Sequence, residues 1–189
     1  EGFENLNVDL MSALPGQSLS SWHKTLSRVL DLEPEHISAY SLIIEEGTPF
    51  AQRELDLPDE DTEYQMYEDT AAVLEEYGYQ QYEISNYAKP GKEARHNIGY
   101  WKRVPYLGVG LGAASLIGEV RYSNIREIET YIKACGNIST QEIEGVPALN
   151  LHESADAISR HGQMEEFMFL GLRMLKGVTR TEFKETFGV

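Results

Sequence analysis

Strand, helix and strand follow one another within residues 6–44, and this order constrains the fold more than any other feature of the chain. Leu6-Asn7-Val8-Asp9-Leu10-Met11 reads as a buried strand. Leu14-Pro15-Gly16-Gln17 breaks it as a loop, and Ser18 or Ser20 can cap the helix that follows. In that helix Trp22, Leu26, Val29 and Leu30 recur at i, i+4, i+7 and i+8, which places them on one face. Pro34 ends the unit, and His36 to Ile44 gives a second strand. Such an arrangement is the size of a right-handed βαβ unit with a parallel strand pair. Ligands of parallel sheets sit at the carboxyl ends of the strands, here Asp9–Gln17 and Tyr40–Thr48.

The rest of the chain continues as α/β. Pro58-Asp59 opens a long helix with Tyr64, Tyr67, Ala71 and Leu74 as its expected inner face, and Gly78 stops it. Tyr79 to Ser85 is predicted as a third strand, and Ala88-Lys89-Pro90-Gly91 as a turn. Residues 93–102 read as a short helix, Leu107–Ile117 as a glycine-rich strand with Glu119–Asn124 beside it, and residues 126–135 as helix. Residues 136–152 read as a linker or hairpin. A helix is predicted from Ser154 to Leu175, with Phe167, Leu170 and Met174 in its stripe. Another starts at Thr179, where Glu182 completes a capping box. The domain division expected from this pattern is 1–135, a linker or hairpin at 136–152, and the start of a further helical domain at 153–189.

Charge narrows the partners. The 189 residues carry a formal net charge of −15, which repels phosphate backbones and anionic membrane surfaces, so no nucleic-acid partner is expected. No apolar run approaches the roughly 20 residues that span a bilayer, so no stable membrane insertion is expected. The single cysteine, Cys135, excludes a disulfide framework and any multi-cysteine metal site in this chain. A reducing, cytoplasmic setting fits that usage. The first residues have no basic or apolar leader pattern and no initiator Met, so the chain reads as a cut from something longer.

Several residues carry possible chemistry. Asp9 in an apolar strand requires a pairing partner, or accepts hydroxyl or amino groups of a ligand. His96 and Tyr100 are four apart, so a helix presents imidazole and phenol on one face. That pair suits ligation of haem iron or proton work, and Trp101 can lie against a flat ligand; a histidine bonded to backbone beside core aromatics is the simpler alternative. Gly108-Val109-Gly110-Leu111-Gly112-Ala113 matches a dinucleotide fingerprint. That motif needs a helix directly after it, whereas Ala114–Gly118 reads as strand, so the glycines are read as allowing close backbone approach. Glu45, Glu46, Asp59, Glu60 and Asp61 read as turn and helix-opening acids. His23, His36, His152 and His161 show no metal spacing, and Cys135 reads as a packed helix residue.

Taken together, the segments Asn7–Met11, Leu14–Gln17, His36–Leu42, Glu46-Gly47-Thr48-Pro49, Tyr82–Ala88 and Tyr106–Gly110 follow one another as in the oxygen-independent coproporphyrinogen III oxidase-like radical SAM family. The resemblance runs over nearly the whole chain, most firmly over residues 5–126. Within that family, His96-Asn97-Ile98-Gly99-Tyr100-Trp101 resembles the HNxxYW signature of the haem chaperone (HemW) branch.

The resemblance implies the second part of a partial (β/α)6, TIM-like radical SAM barrel, with the start of a C-terminal helical or winged-helix domain. It implies haem contacts at His96 and Tyr100, and S-adenosylmethionine contacts at Asp9, Ile43 and Ala114. The family's three-cysteine motif for a [4Fe-4S] cluster has no counterpart in this sequence, so the cluster's ligands would lie outside this chain. Ala13 stands where the family has Gly before Leu-Pro. The implied function is haem binding and transfer to haem-accepting proteins, with a homodimer as the expected assembly. The alternative is oxidation of coproporphyrinogen III in porphyrin biosynthesis, and a nicotinamide-dependent enzyme using the glycine run is a third reading.

Overall fold

The computed structural model describes residues 2–189. They form two compact units that divide between Ala94 and Arg95.

The first unit opens with the expected β–α–β. Strand β1 (Asn7–Ser12) pairs in parallel with β2 (His36–Ser41), Asn7 opposite His36 and Asp9 opposite Ser38. Helix α1 (Leu19–Leu30) joins them. Ser18 caps it, its hydroxyl accepting the Ser21 N–H while the Ser21 hydroxyl accepts the Ser18 N–H. The predicted face is the buried one: Trp22, Leu26, Val29 and Leu30 all enter the core.

Helix α2 (Glu60–Glu76) starts at the Asp59 cap as expected, but its inner face is rotated from the predicted one. Met66, Thr70 and Leu74 are buried, whereas Tyr64 and Tyr67 are exposed. Thr70 belongs inside because its hydroxyl accepts the indole N–H of Trp22 at 2.9 Å. A polar residue on the inner line disguised that line to a hydropathy reading.

The third strand is also displaced. Gln80–Gln81 forms a short β3, and Asn86–Ala88, expected partly as a turn, forms β4. The sheet order is β1-β2-β4-β3, with β4 antiparallel to both of its neighbours. The reversal between β3 and β4 is held by Glu83, whose buried carboxylate accepts the Ser85 N–H at 3.0 Å and the Asn86 side-chain amide.

Side chains alternate across this sheet. Val8, Leu10, Ile37, Ala39 and Tyr87 face α1 and α2 and build the core with Leu26, Val29, Leu30, Met66 and Leu74. Asn7, Asp9, His36, Ser38 and Asn86 occupy the other face. β1 is therefore two-faced rather than buried, and Asp9 is solvent-exposed, which corrects the expectation of a carboxylate inside an apolar strand.

Ala13, directly after β1, is buried with φ +57°. This is a left-handed conformation in which a Cβ is strained, and it explains physically why Gly suits the position.

The second unit begins with helix α3 (Arg95–Trp101). The glycine run that follows is a loop, not a strand: regular structure starts only at β5 (Ala114–Ile117). A Cβ on Gly108 would lie 2.0 Å from the Ala114 carbonyl oxygen, so only glycine permits that approach. β5 pairs antiparallel with β6 (Val120–Asn124) as expected. Because strand and not helix follows Ala113, the dinucleotide reading fails.

Helix α4 (Ile128–Cys135) follows, with Cys135 exposed rather than packed. Strands β7 (Thr140–Ile143) and β8 (Val146–Leu149) form a hairpin. Residues 154–157, predicted as the opening of a helix, instead belong to β9 (His152–Ala157), antiparallel to β6. The helix begins later, as α5 (Arg160–Gly171), capped by Ser159. His152–Ala157 carries no helical stripe, and β6 offers it a free edge for hydrogen bonds. Helix α6 (Arg180–Phe187) has the predicted Thr179–Glu182 capping box. No helix among the described residues is long and apolar enough to cross a membrane.

Candidate functional site

In the second unit, helix α3 presents His96 and Tyr100 one turn apart on one face. Their rings meet edge to face with centroids 4.6 Å apart. Tyr100 in turn meets Tyr106 edge to face at 4.7 Å. His96 is exposed and Tyr100 half-buried, so an imidazole is available to a ligand while the phenol beside it is held by packing. These two groups, both able to ligate iron, fit a haem approaching this helix face.

Trp101 faces another way. Its ring lies under the guanidinium of Arg173 at 4.3 Å, and it lines a cavity of about 230 Å³ with Phe167, Met174 and Val178. It is an anchor of α3 within the unit, where the sequence suggested a surface for a flat ligand. A second anchor is ionic. Arg103, two residues past α3, donates to Glu166 at 2.8 Å, and Arg121 donates to the other oxygen at 2.7 Å. Burial raises the affinity of Glu166 for a proton, but the hydrogen bonds from Arg121 and Arg103 more than offset it and hold its pKa below the usual range. Tyr106 also lies close enough to Arg121 to help hold the guanidinium charged, so the aromatic line from His96 ends beside this ion cluster. Sequence reading missed Tyr106 and Glu166, because neither has a partner nearby in sequence.

In the first unit, Asp9 lies on the helix-free face of the sheet, where the Asn7 side-chain N–H donates to its Oδ1 at 2.8 Å. Asn7 Oδ1 contacts His36 Nδ1 at 2.6 Å and accepts the Ser38 hydroxyl at 3.2 Å. The other His36 nitrogen contacts the Tyr82 hydroxyl at 2.8 Å. Burial lowers the pKa of His36, against an upward pull from Asp9, Glu83 and Glu93. Burial likewise pushes the Tyr82 phenol up to about 12. The period-2 alternation of Asn7/Asp9 and His36/Ser38 was the signal available in the sequence for this polar face.

Ile43 lies two residues beyond β2 and is 74 % exposed. Ala114 begins β5 in the second unit and is exposed. The loop after β1 is closed by Gln17, which accepts the Leu14 N–H at 3.2 Å. An exposed carboxylate with one oxygen unused by protein fits a ligand carrying hydroxyl or amino donors, as the S-adenosylmethionine implied at Asp9 does. An iron–sulphur cluster does not fit this chain: Cys135 is its one cysteine, and no group of three or more His, Cys, Asp or Glu able to hold a metal occurs among the described residues.

With this geometry in place, comparison with known proteins defines the class. The structure superposes on a coproporphyrinogen III oxidase of Escherichia coli, described as a radical SAM enzyme, with a TM-score of 0.76 and 22 % identity, over 100 % of this chain and 44 % of that one. Over its length the chain therefore shares the fold of the matching part of that protein. Residues 158–189 match the HemN C-terminal domain family. In sequence the chain is 40 % identical to the haem chaperone HemW of Bacillus subtilis, over 99 % of this chain and 48 % of that protein. It is 35 % identical to the haem chaperone HemW of Escherichia coli, over 96 % and 46 %. It is also 35 % identical to the mitochondrial radical S-adenosyl methionine domain-containing protein 1 of Danio rerio, over 95 % and 41 %. Over the length it spans, the chain belongs to the oxygen-independent coproporphyrinogen III oxidase-like radical SAM family, on its haem chaperone branch. It spans about half the length of the curated relatives it matches.

Proposed function

We propose that this chain is the haem-contacting part of a haem chaperone. His96 and Tyr100 contact the haem, and the complete protein hands it to haem-accepting proteins. The observation that carries the reading is the exposed imidazole of His96 beside the Tyr100 phenol on one face of α3. Haem is cargo here, so what this chain supplies is two ligating groups on a helix anchored by Trp101 and Arg103.

In the same reading Asp9, Ile43 and Ala114 contact S-adenosylmethionine, and the complete protein holds a [4Fe-4S] cluster on cysteines outside this chain. Asp9 contributes a carboxylate acceptor, Ile43 and Ala114 contribute apolar contact. When bound, S-adenosylmethionine would supply radical chemistry. The first unit and the strands after it form the second part of a partial (β/α)6 barrel, residues 136–152 connect, and residues 153–189 begin a helical or winged-helix domain. A cytoplasmic setting and a homodimer complete the proposal.

Haem titration of the full-length protein tests it. His96→Ala should weaken binding and change the absorption spectrum. Unchanged affinity and spectrum would remove His96 from the site. The fold match to the E. coli oxidase favours a second reading, coproporphyrinogen III oxidation. An anaerobic assay of the reconstituted full-length protein decides it, since that reading requires product formation and leaves the His96 motif without work.

A further inference from the structure

With His36 neutral, as its burial favours, the hydrogen bonds on the helix-free face of the first unit have only one self-consistent polarity. The chain runs from Ala94 through Tyr82, His36 and Asn7 to Asp9. Its two ends are unambiguous. The Ala94 N–H donates to the Tyr82 oxygen at 3.2 Å. At the other end the ionised Asp9 carboxylate can only accept, so the Asn7 group 2.8 Å from it must be the NH2. A flipped Asn7 would set two acceptor oxygens against each other at that distance.

The rest follows from these ends. With its NH2 on Asp9, Asn7 turns its carbonyl oxygen to His36 and Ser38. His36 must then carry its proton on Nδ1 and donate it to Asn7. Its bare Nε2 accepts the Tyr82 hydroxyl proton. Every donor therefore points toward Asp9. The inner members are buried, His36 5 % exposed and Ser38 3 %, and Tyr82 is half-buried, while Asn7 and Asp9 are open to solvent. The chain ends on Oδ1 of Asp9 alone and leaves Oδ2 uncommitted to this network.

We propose that Asn7 and His36 are positioning residues for Asp9, with His36 locked as the Nδ1–H tautomer so that Asn7 holds one carboxylate oxygen and presents the other to the bound cofactor. This deepens the reading of Asp9 as an S-adenosylmethionine contact and rests on it. Asn7 touches no ligand in this scheme. Its work is to remove the rotational freedom of Asp9 before the cofactor arrives, and that of His36 and Tyr82 is to fix the orientation of the Asn7 amide. The network runs from the buried His36 and Ser38 out through Asn7 to a carboxylate at the surface, where a ligand can reach it.

The test uses the full-length protein with its cluster reconstituted and [15N]histidine label. S-adenosylmethionine affinity is measured for wild type, Asp9→Asn, Asn7→Ala and Tyr82→Phe, and imidazole 15N shifts report the tautomer of His36. Wild type should show the Nδ1–H form at neutral pH. Asn7→Ala should weaken cofactor binding roughly tenfold, as loss of a hydrogen bond to a charged group does. Tyr82→Phe keeps the ring and the fold, frees Nε2, and should shift the tautomer balance with a few-fold loss of affinity. An Nε2–H form in wild type overturns the proposal. So does unchanged affinity in Asn7→Ala, or in Tyr82→Phe where Asn7→Ala does not fold, provided Asp9→Asn still loses binding. If Asp9→Asn binds normally, the failure lies in the reading of Asp9 itself, and the wild-type tautomer then still reports on the network.

Discussion

The rings of His96 and Tyr100 meet edge to face, with centroids 4.6 Å apart and planes at 75°. Helix spacing brought them to one face, but the contact of Tyr100 with Tyr106 fixes the phenol there. The packing uses ring edges and faces, whereas a haem contact would use the phenolic oxygen. Tyr100→Phe should therefore leave the thermal midpoint within about 2 °C of wild type, while Tyr100→Ala loses the aromatic pairings at about 1 kcal/mol each. Haem titrations of both variants should show weakened binding and an altered Soret band. A Tyr100→Phe protein with wild-type affinity and spectrum would limit Tyr100 to packing.

Glu166 bridges the Arg103 and Arg121 guanidinium groups, and Glu119 lies 3.9 Å from Arg103 at the outer side. Removing it leaves Arg121 without its carboxylate and Arg103 with only the distant, exposed Glu119, so Glu166→Ala should cost about 3 kcal/mol in urea unfolding. The sign with pH follows from its lowered pKa. A carboxylate with a depressed folded pKa stabilises the fold above its unfolded value, and the contribution is lost as pH falls through the folded value. The gap between wild type and Glu166→Gln should thus be full near pH 7 and close in acid, below the ordinary glutamate range. A gap that stayed constant down to pH 3 would contradict the ion cluster.

His36 titrates in the opposite sense to a histidine that gains an anionic partner. Burial lowers its folded pKa, and the nearby charges of Asp9, Glu83 and Glu93 do not reverse this. The unfolded chain therefore takes up a proton first, near pH 6.5, and stability falls from there until the folded pKa is reached. Melting temperatures measured between pH 5 and 7.5 should decline toward the acid end more in wild type than in His36→Gln. Equal slopes would mean that folding does not lower the pKa of His36.

Ala13 sits buried at φ +57° between β1 and the Leu14–Gln17 loop. A left-handed alanine costs about 1–2 kcal/mol. Ala13→Gly releases that strain but adds freedom to the unfolded chain, which opposes the gain by somewhat under 1 kcal/mol. The net expectation is a stabilisation of about 0.5–1 kcal/mol, read from the urea midpoint. A loss of stability would show that the methyl group packs usefully there.

The sequence by itself determined the local features. The α1 face of Trp22, Leu26, Val29 and Leu30, the caps at Asp59 and Thr179, the parallel pairing of β1 with β2 and the one-turn spacing of His96 and Tyr100 were all legible. Each rests on periodicity or on a hydrogen bond within four residues, or on a short connection. Tertiary structure alone decided the rest. It made His152–Ala157 a strand because β6 had an edge to pair, and it turned Thr70 inward because the Trp22 indole needed an acceptor. It kept the glycine run a loop because the Ala114 carbonyl presses on Gly108. It assembled Asp9, Asn7, His36 and Tyr82 into one network from three separate segments. Partners 29 and 46 residues away leave no periodic trace, since what selects them is the satisfaction of buried polar groups, and burial exists only once the sheet has formed.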